Sequence, residues 1–209
     1  MEILKVQKKA IALFAVVSMM TVAYSQNADE ILAAFKQSYT LENAGNYHQA
    51  AEVLKKVYKE DSYALNLRLG WLDYEAGQFM ESQAYYNKAI ALYQMSVEAR
   101  LGVVLPAAAM GNWDFVITQY EKILEISPNN SVALYRLGVI YYGRKEYEKA
   151  FSYLEKVVNL YPFDYDSVVL FAWTNLQLKK YREAKVLFYQ ALYRKPDDTS
   201  ALEGLKLIK

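Results

Sequence analysis

Of the side chains that carry most enzymatic chemistry, this 209-residue chain has a single histidine, His48, and no cysteine. Without cysteine there is no disulfide, thiolate metal site, cysteine nucleophile or lipid-modified cysteine. His48 begins an exposed helix turn beside Tyr47 and has no evident partner, so it is expected to be solvated rather than a general base. There is no Gly-rich phosphate loop, no Ser-His-Asp set and no paired-histidine metal spacing. Carboxylate pairs such as Glu146 and Glu148 flank a turn and are expected on a solvated face. The sequence therefore nominates no catalytic residue, no metal ligand and no cofactor, and the chain is expected not to be an enzyme.

The chemistry that remains is binding. Tyrosine appears 20 times, against 8 Phe and 3 Trp, in a chain that is 54% apolar and 22% charged. That balance fits an ordered protein with a real core. Tyrosine packs its ring and keeps its hydroxyl at the rim, so most copies are expected to be structural. A formal charge of +1 gives no electrostatic reason to expect nucleic acid. The C-terminal segment is mildly basic, and a solubilising surface is the expectation there.

These aromatics are positioned by a repeat. In Leu134 to Pro162, LYRLGVIYYGRKEYEKAFSYLEKVVNLYP, two amphipathic helices are legible. Leu134, Leu137, Gly138 and Tyr141 share one face of the first, and Tyr147, Ala150, Leu154 and Val157 one face of the second, with Gly143 to Glu146 as the turn. Gly138 and Ala150 are expected where the helices cross, and Pro162 stops the second helix. A lone hairpin of this kind leaves an apolar face wet, so copies must stack. Trp113, Tyr147 and Tyr181 are spaced by 34 residues, as are Pro128, Pro162 and Pro196.

This pattern resembles the tetratricopeptide repeat, a helix-turn-helix unit with a period of about 34 residues. The resemblance implies an all-α, right-handed superhelical solenoid of antiparallel helix pairs. Units are expected at about 29–62, 63–94, 96–129, 130–163 and 164–197, with a closing helix at 199–209. The first has Gln37-Ser38 where later units have Leu-Gly, and divergence is expected at the end of a stack. The second carries Leu69-Gly70 and a small Ser82 but no closing proline. In the third, aligning Leu101-Gly102 with Leu137-Gly138 makes the distance to Trp113 two residues too long, and Pro106 falls inside the expected first helix, predicting an insertion with a kink or early end. The stretch Val103 to Met110 is too apolar for an exposed loop. The fifth has Phe171-Ala172 in place of Leu-Gly, and the closing helix is expected to turn Leu202, Leu205 and Ile208 inward.

Lys5, Lys8 and Lys9 precede an apolar run from Ala10 to Ala23, and Ala23-Tyr24-Ser25 has small residues at cleavage spacing. This reads as a secretory signal peptide over residues 1–25, cleaved before Gln26. The run is 14 residues, short of the roughly 20 of a spanning helix. Cleavage leaves 21 basic and 22 acidic side chains, a net of −1. A periplasmic or secreted protein with no membrane span after processing is expected.

In the family resembled, the first helices of successive units line a groove that takes an extended peptide or a partner helix. By periodicity the residues pointing away from the packing face are Phe35 and Tyr39, then Leu67, Trp71 and Tyr74, then Tyr135, Val139 and Tyr142, then Val169 and Trp173. These ten are the candidate partner-binding residues. An aromatic lining suits apolar or aromatic anchors. The family's clamp for a C-terminal carboxylate needs basic and amide residues at these positions, which are absent. Arg68 and Arg136 lie one residue past Leu67 and Tyr135 and are expected to be solvated or helix-pairing. The expected function is a non-catalytic scaffold or interaction module of the bacterial cell envelope. The alternative is a structural subunit that assembles with itself or a membrane complex through the 103–110 insertion and the ends of the stack.

Overall fold

The computed structural model describes residues 28–208, which form eleven α-helices and, among the described residues, no strand. The expected signal peptide and its cleavage point before Gln26 lie outside them. The helices are α1 (28–43), α2 (Tyr47–Lys55), α3 (Tyr63–Glu75), α4 (Phe79–Leu92), α5 (Val97–Ala109), α6 (Trp113–Ile126), α7 (Ser131–Gly143), α8 (Tyr147–Leu160), α9 (Tyr165–Gln177), α10 (Tyr181–Arg194) and α11 (Thr199–Leu207). They form two compact units that divide between Gln94 and Met95.

Local chemistry sets the helix ends. The odd-numbered helices from α3 onward start on an N-cap whose side chain accepts a hydrogen bond from the backbone N–H three residues on: Ser62, Ser96, Asn130, Asp164 and Asp198. α1, α3, α5, α7 and α9 each end in a turn with one left-handed residue. Gly45, Gly77 and Gly111 take φ of 75–76°, and Lys145 and Lys179 take 61° and 59°. In each turn the next N–H reaches back to a helical carbonyl, as Glu146 does to Tyr141 at 2.9 Å. In the turn expected at Gly143 to Glu146 the left-handed residue is thus Lys145, and Gly143 still belongs to α7.

In the first unit, Ala34, Ala50, Ala51, Leu54, Leu65, Leu69 and Leu72 form a core across α1, α2 and α3, and α3 packs on α4. Gly70 lets α4 approach. A Cβ there would stand 2.8 Å from the Tyr86 ring, and the buried Ser82 hydroxyl donates to the Gly70 carbonyl at 2.6 Å. In the second unit, consecutive helices from α5 to α11 pack on one another around two clusters. Gly138 faces Leu154, whose Cδ2 lies 2.6 Å from where a Cβ would be, and Ala150 is fully buried.

Two expectations about α5 are corrected. From its first residue to that of α6 is the same step as from α7 to α8, so residues 103–110 contain no insertion. The positions equivalent to Leu137-Gly138 are Val103-Val104, not Leu101-Gly102. The helix also does not end at Pro106, which is buried within it, and Met110 donates to the Pro106 carbonyl at 3.0 Å. Val103, Val104 and Ala107 are buried, so most of this apolar stretch is core, and only Ala109 and Met110 at its end are exposed. In α11 the buried residues are Ala201 and Gly204, with Leu205 and Ile208 packed beside them. Leu202 is instead 39% exposed, because its place on the helix turns it from Phe188.

Candidate functional site

The ten candidate residues fall into two sets, one in each unit. In the first unit, Phe35, Tyr39, Trp71 and Tyr74 form a row of two aromatic pairs: ring centroids lie 6.4 Å apart for Phe35 and Tyr39 and 6.1 Å for Trp71 and Tyr74. Tyr74 continues to Phe79 at 5.9 Å. Tyr39 is half exposed and lies under the Arg68 guanidinium, 4.0 Å from the ring centroid. Leu67 is partly exposed beside Arg68.

A residue the periodicity did not nominate ties this row together. Glu42 on α1 pairs with Arg68 and accepts from Trp71 Nε1 at 2.6 Å. Arg68 holds the Glu42 carboxyl below its usual range, more than offsetting the burial that pushes it up, with Trp71 adding to the depression. Arg68 is therefore a helix-pairing residue. Its signal in the sequence was only a carboxylate one turn beyond Tyr39.

In the second unit, Val139 is 36% exposed and forms one wall of an open hollow of about 300 Å³ with Trp113, Ile140, Gly143 and Arg144. Trp113 is about half exposed, and Arg144 pairs with Asp114 at 2.9 Å. Tyr142 meets Tyr147 edge-on at 5.5 Å and hydrogen-bonds Gln177; burial pushes its phenol pKa up. Tyr135 packs against the α5–α8 core, whereas Val169 and Trp173 pack against the α9–α11 core. Trp173 Nε1 donates to Ser200 Oγ at 2.8 Å, and its ring meets Phe188 edge-on at 5.3 Å. Both tryptophans of the set thus tie neighbouring odd-numbered helices while keeping part of the ring exposed.

His48 is exposed, with Gln78 Nε2 at 3.3 Å from its Nδ1. Among the described residues no group of three or more His, Asp or Glu side chains is placed to hold a metal, and no helix is long and apolar enough to cross a membrane.

Comparison with known proteins agrees with this architecture. Residues 32–62 match the tetratricopeptide repeat family, and residues 109–191 match the family of anaphase-promoting complex (cyclosome) subunit 3. A TPR repeat-containing protein of Methanocaldococcus jannaschii is 26% identical over 85 residues, a match that covers 40% of this chain and only 15% of that protein. Among solved structures, a tetratricopeptide repeat protein of Parabacteroides merdae superposes with a TM-score of 0.73 at 20% identity, over 84% of this chain and 71% of the other. MamA of Desulfovibrio magneticus gives 0.70 at 16% identity over 82% and 98% of the two chains. YrrB, described as a TPR protein with an unusual peptide-binding site, gives 0.69 at 14% over 89% and 97%. The fold is that of these proteins. Together the matches support a tetratricopeptide-repeat protein, a class that is generally one of non-catalytic interaction modules.

Proposed function

We propose that the chain is an exported scaffold of the bacterial cell envelope that holds a segment of a protein partner on the exposed faces of its odd-numbered helices. The observation that carries this is the open apolar hollow between Val139 and Trp113. A buried core would have closed it, and it has the size and lining to take an apolar side chain. The Tyr39–Arg68–Trp71–Tyr74 row supplies a second anchor surface in the first unit. The peptide-binding description of YrrB agrees with this reading, as does the Lys-rich, then apolar, then small-residue order of the first 25 residues.

The assembly alternative keeps mainly the ends of the array, because residues 103–110 bury most of their apolar side chains and leave only Ala109 and Met110 exposed.

The test pairs Val139→Asp with Tyr39→Ala, since both side chains are exposed and neither carries the core. A crosslinking pull-down from envelope extract should recover a partner with the parent chain and lose it with the double variant, while the melting temperature changes by less than about 2 °C. Equal recovery by both would remove these faces as the binding surface. N-terminal sequencing after expression in a Gram-negative host should begin at Gln26, and an intact Met1 would refute export by cleavage.

A further inference from the structure

The first residues of α3, α5, α7 and α9 occupy the same place in their repeats: Tyr63, Val97, Ser131 and Tyr165. Two of these four, Tyr63 and Tyr165, meet a residue of the loop that follows their repeat. Tyr63 meets Tyr93 edge-on at 4.9 Å, and Val97 packs against the core. Tyr165 lies under Lys195, 3.5 Å from the ring centroid, and its phenol donates to Asp198, the N-cap of α11.

Ser131 ends at a hydroxymethyl group. A crevice of about 330 Å³ is left open there, lined among others by Ser131, Tyr135, Arg136, Val157, Tyr161 and Asp164. Tyr161 stands where Lys195 stands one repeat later, and Asp164 where Asp198 stands. Asp164 Oδ2 accepts from the Ser167 N–H at 3.0 Å, and among the described residues its Oδ1 has no donor. Asp198 uses one oxygen in the same way, on the Ala201 N–H, and still accepts the Tyr165 phenol.

We propose that this crevice is a socket for a tyrosine side chain of a partner protein, which stacks on Tyr161 and donates its hydroxyl to Asp164 as Tyr165 does to Asp198. The crevice is at the small end of the about 300–1,000 Å³ range of ligand pockets, enough for one side chain. Its lining joins an apolar floor to aromatic walls and a carboxylate, which suits a ring with a donor at its tip. Asp166 adds a second negative charge to the lining and Arg136 a positive one, so the ring and its hydroxyl, rather than flanking charge, carry the selectivity. This deepens the reading of the chain as a partner-binding module and rests on it.

The probe is N-acetyltyrosinamide titrated at millimolar concentration into the full 209-residue chain, followed by amide NMR shifts. Saturable shifts are expected at Ser131, Asp164 and Ser167, about tenfold weaker with N-acetylphenylalaninamide because one charge-assisted hydrogen bond is lost. Ser131→Tyr should abolish them by filling the socket from within, with a melting temperature at or above that of the parent. Absence of saturable shifts would overturn the socket, as would equal response to the phenylalanine analogue or unchanged binding in Ser131→Tyr. Because no partner is needed, a failed socket is distinguishable from a failed partner-binding face, which the pull-down reads separately.

Discussion

Lys145 and Lys179 hold a left-handed backbone where the earlier turns use glycine. A side chain in that conformation costs about 1–2 kcal/mol, partly offset by the greater freedom glycine has when unfolded. Lys145→Gly is therefore expected to raise stability by about 0.5–1 kcal/mol, read as a higher urea midpoint with unchanged m-value. Asp73 presents a different strain. It is fully buried, neither oxygen receives a well-directed hydrogen bond, and Lys55 Nζ lies 3.5 Å away. Burial pushes its pKa up, and Lys55 only partly offsets this. A raised pKa means that the contribution to stability is full below the ordinary aspartate range and is lost as pH rises through the folded value. At neutral pH Asp73 is thus a penalty. Asn175 occupies the equivalent position in α9 and donates to the Phe171 carbonyl at 2.8 Å. Asp73→Asn should stabilise the chain by about 1 kcal/mol at pH 7, with the gain shrinking toward low pH. Lys55 keeps Glu52 at 3.2 Å and reaches water, so it is not stranded. A loss of stability at pH 7 in thermal melts would show that the Lys55 pair outweighs desolvation.

At the scale of the helix pair, small residues set how closely the backbones approach, and two glycines of α7 should respond with opposite signs. A Cβ at Gly138 would stand 2.6 Å from Leu154, whereas at Gly143 nothing lies within 4 Å. Gly138→Ala should cost about 1–3 kcal/mol by overpacking, and Gly143→Ala should gain about 0.5–1 kcal/mol through backbone entropy. Chemical denaturation of the pair of variants measures both, and equal effects would mean that the crossing is not held by Gly138. The helix pairs themselves were legible from Tyr147, Ala150 and Leu154 and their echoes, because apolar phase survives substitution. The apparent insertion before Trp113 arose from matching a Leu-Gly string, and Leu101-Gly102 has the right letters in the wrong phase. The caps Ser62, Ser96, Asn130, Asp164 and Asp198, spaced by 34 residues, carried the true register. Cap chemistry is a sharper ruler than a two-residue match, since only a few side chains can accept the backbone N–H.

Across the molecule, sequence periodicity named the exposed row of odd-numbered helices, but it could not divide that row between surface and tie. Trp71 and Trp173 each spend their one donor on a neighbouring helix, through Glu42 and Ser200. Those partners lie 29 and 27 residues away, so no local pattern announces them. Tyr39 and Val139 are the members of the ten that remain most open. The Ser131 crevice was equally hidden, because a serine at a helix start reads as ordinary until Tyr63 and Tyr165 are seen filling the same place. Site-specific photocrosslinking reads whether a partner lies on these faces. A benzophenone side chain at Tyr39 or Val139, and a control at the exposed Lys156 on α8, would be irradiated in living cells. A partner seated on these faces gives a discrete protein adduct from positions 39 and 139 and none from 156. Adducts from 156 alone, or equally from all three, would contradict it.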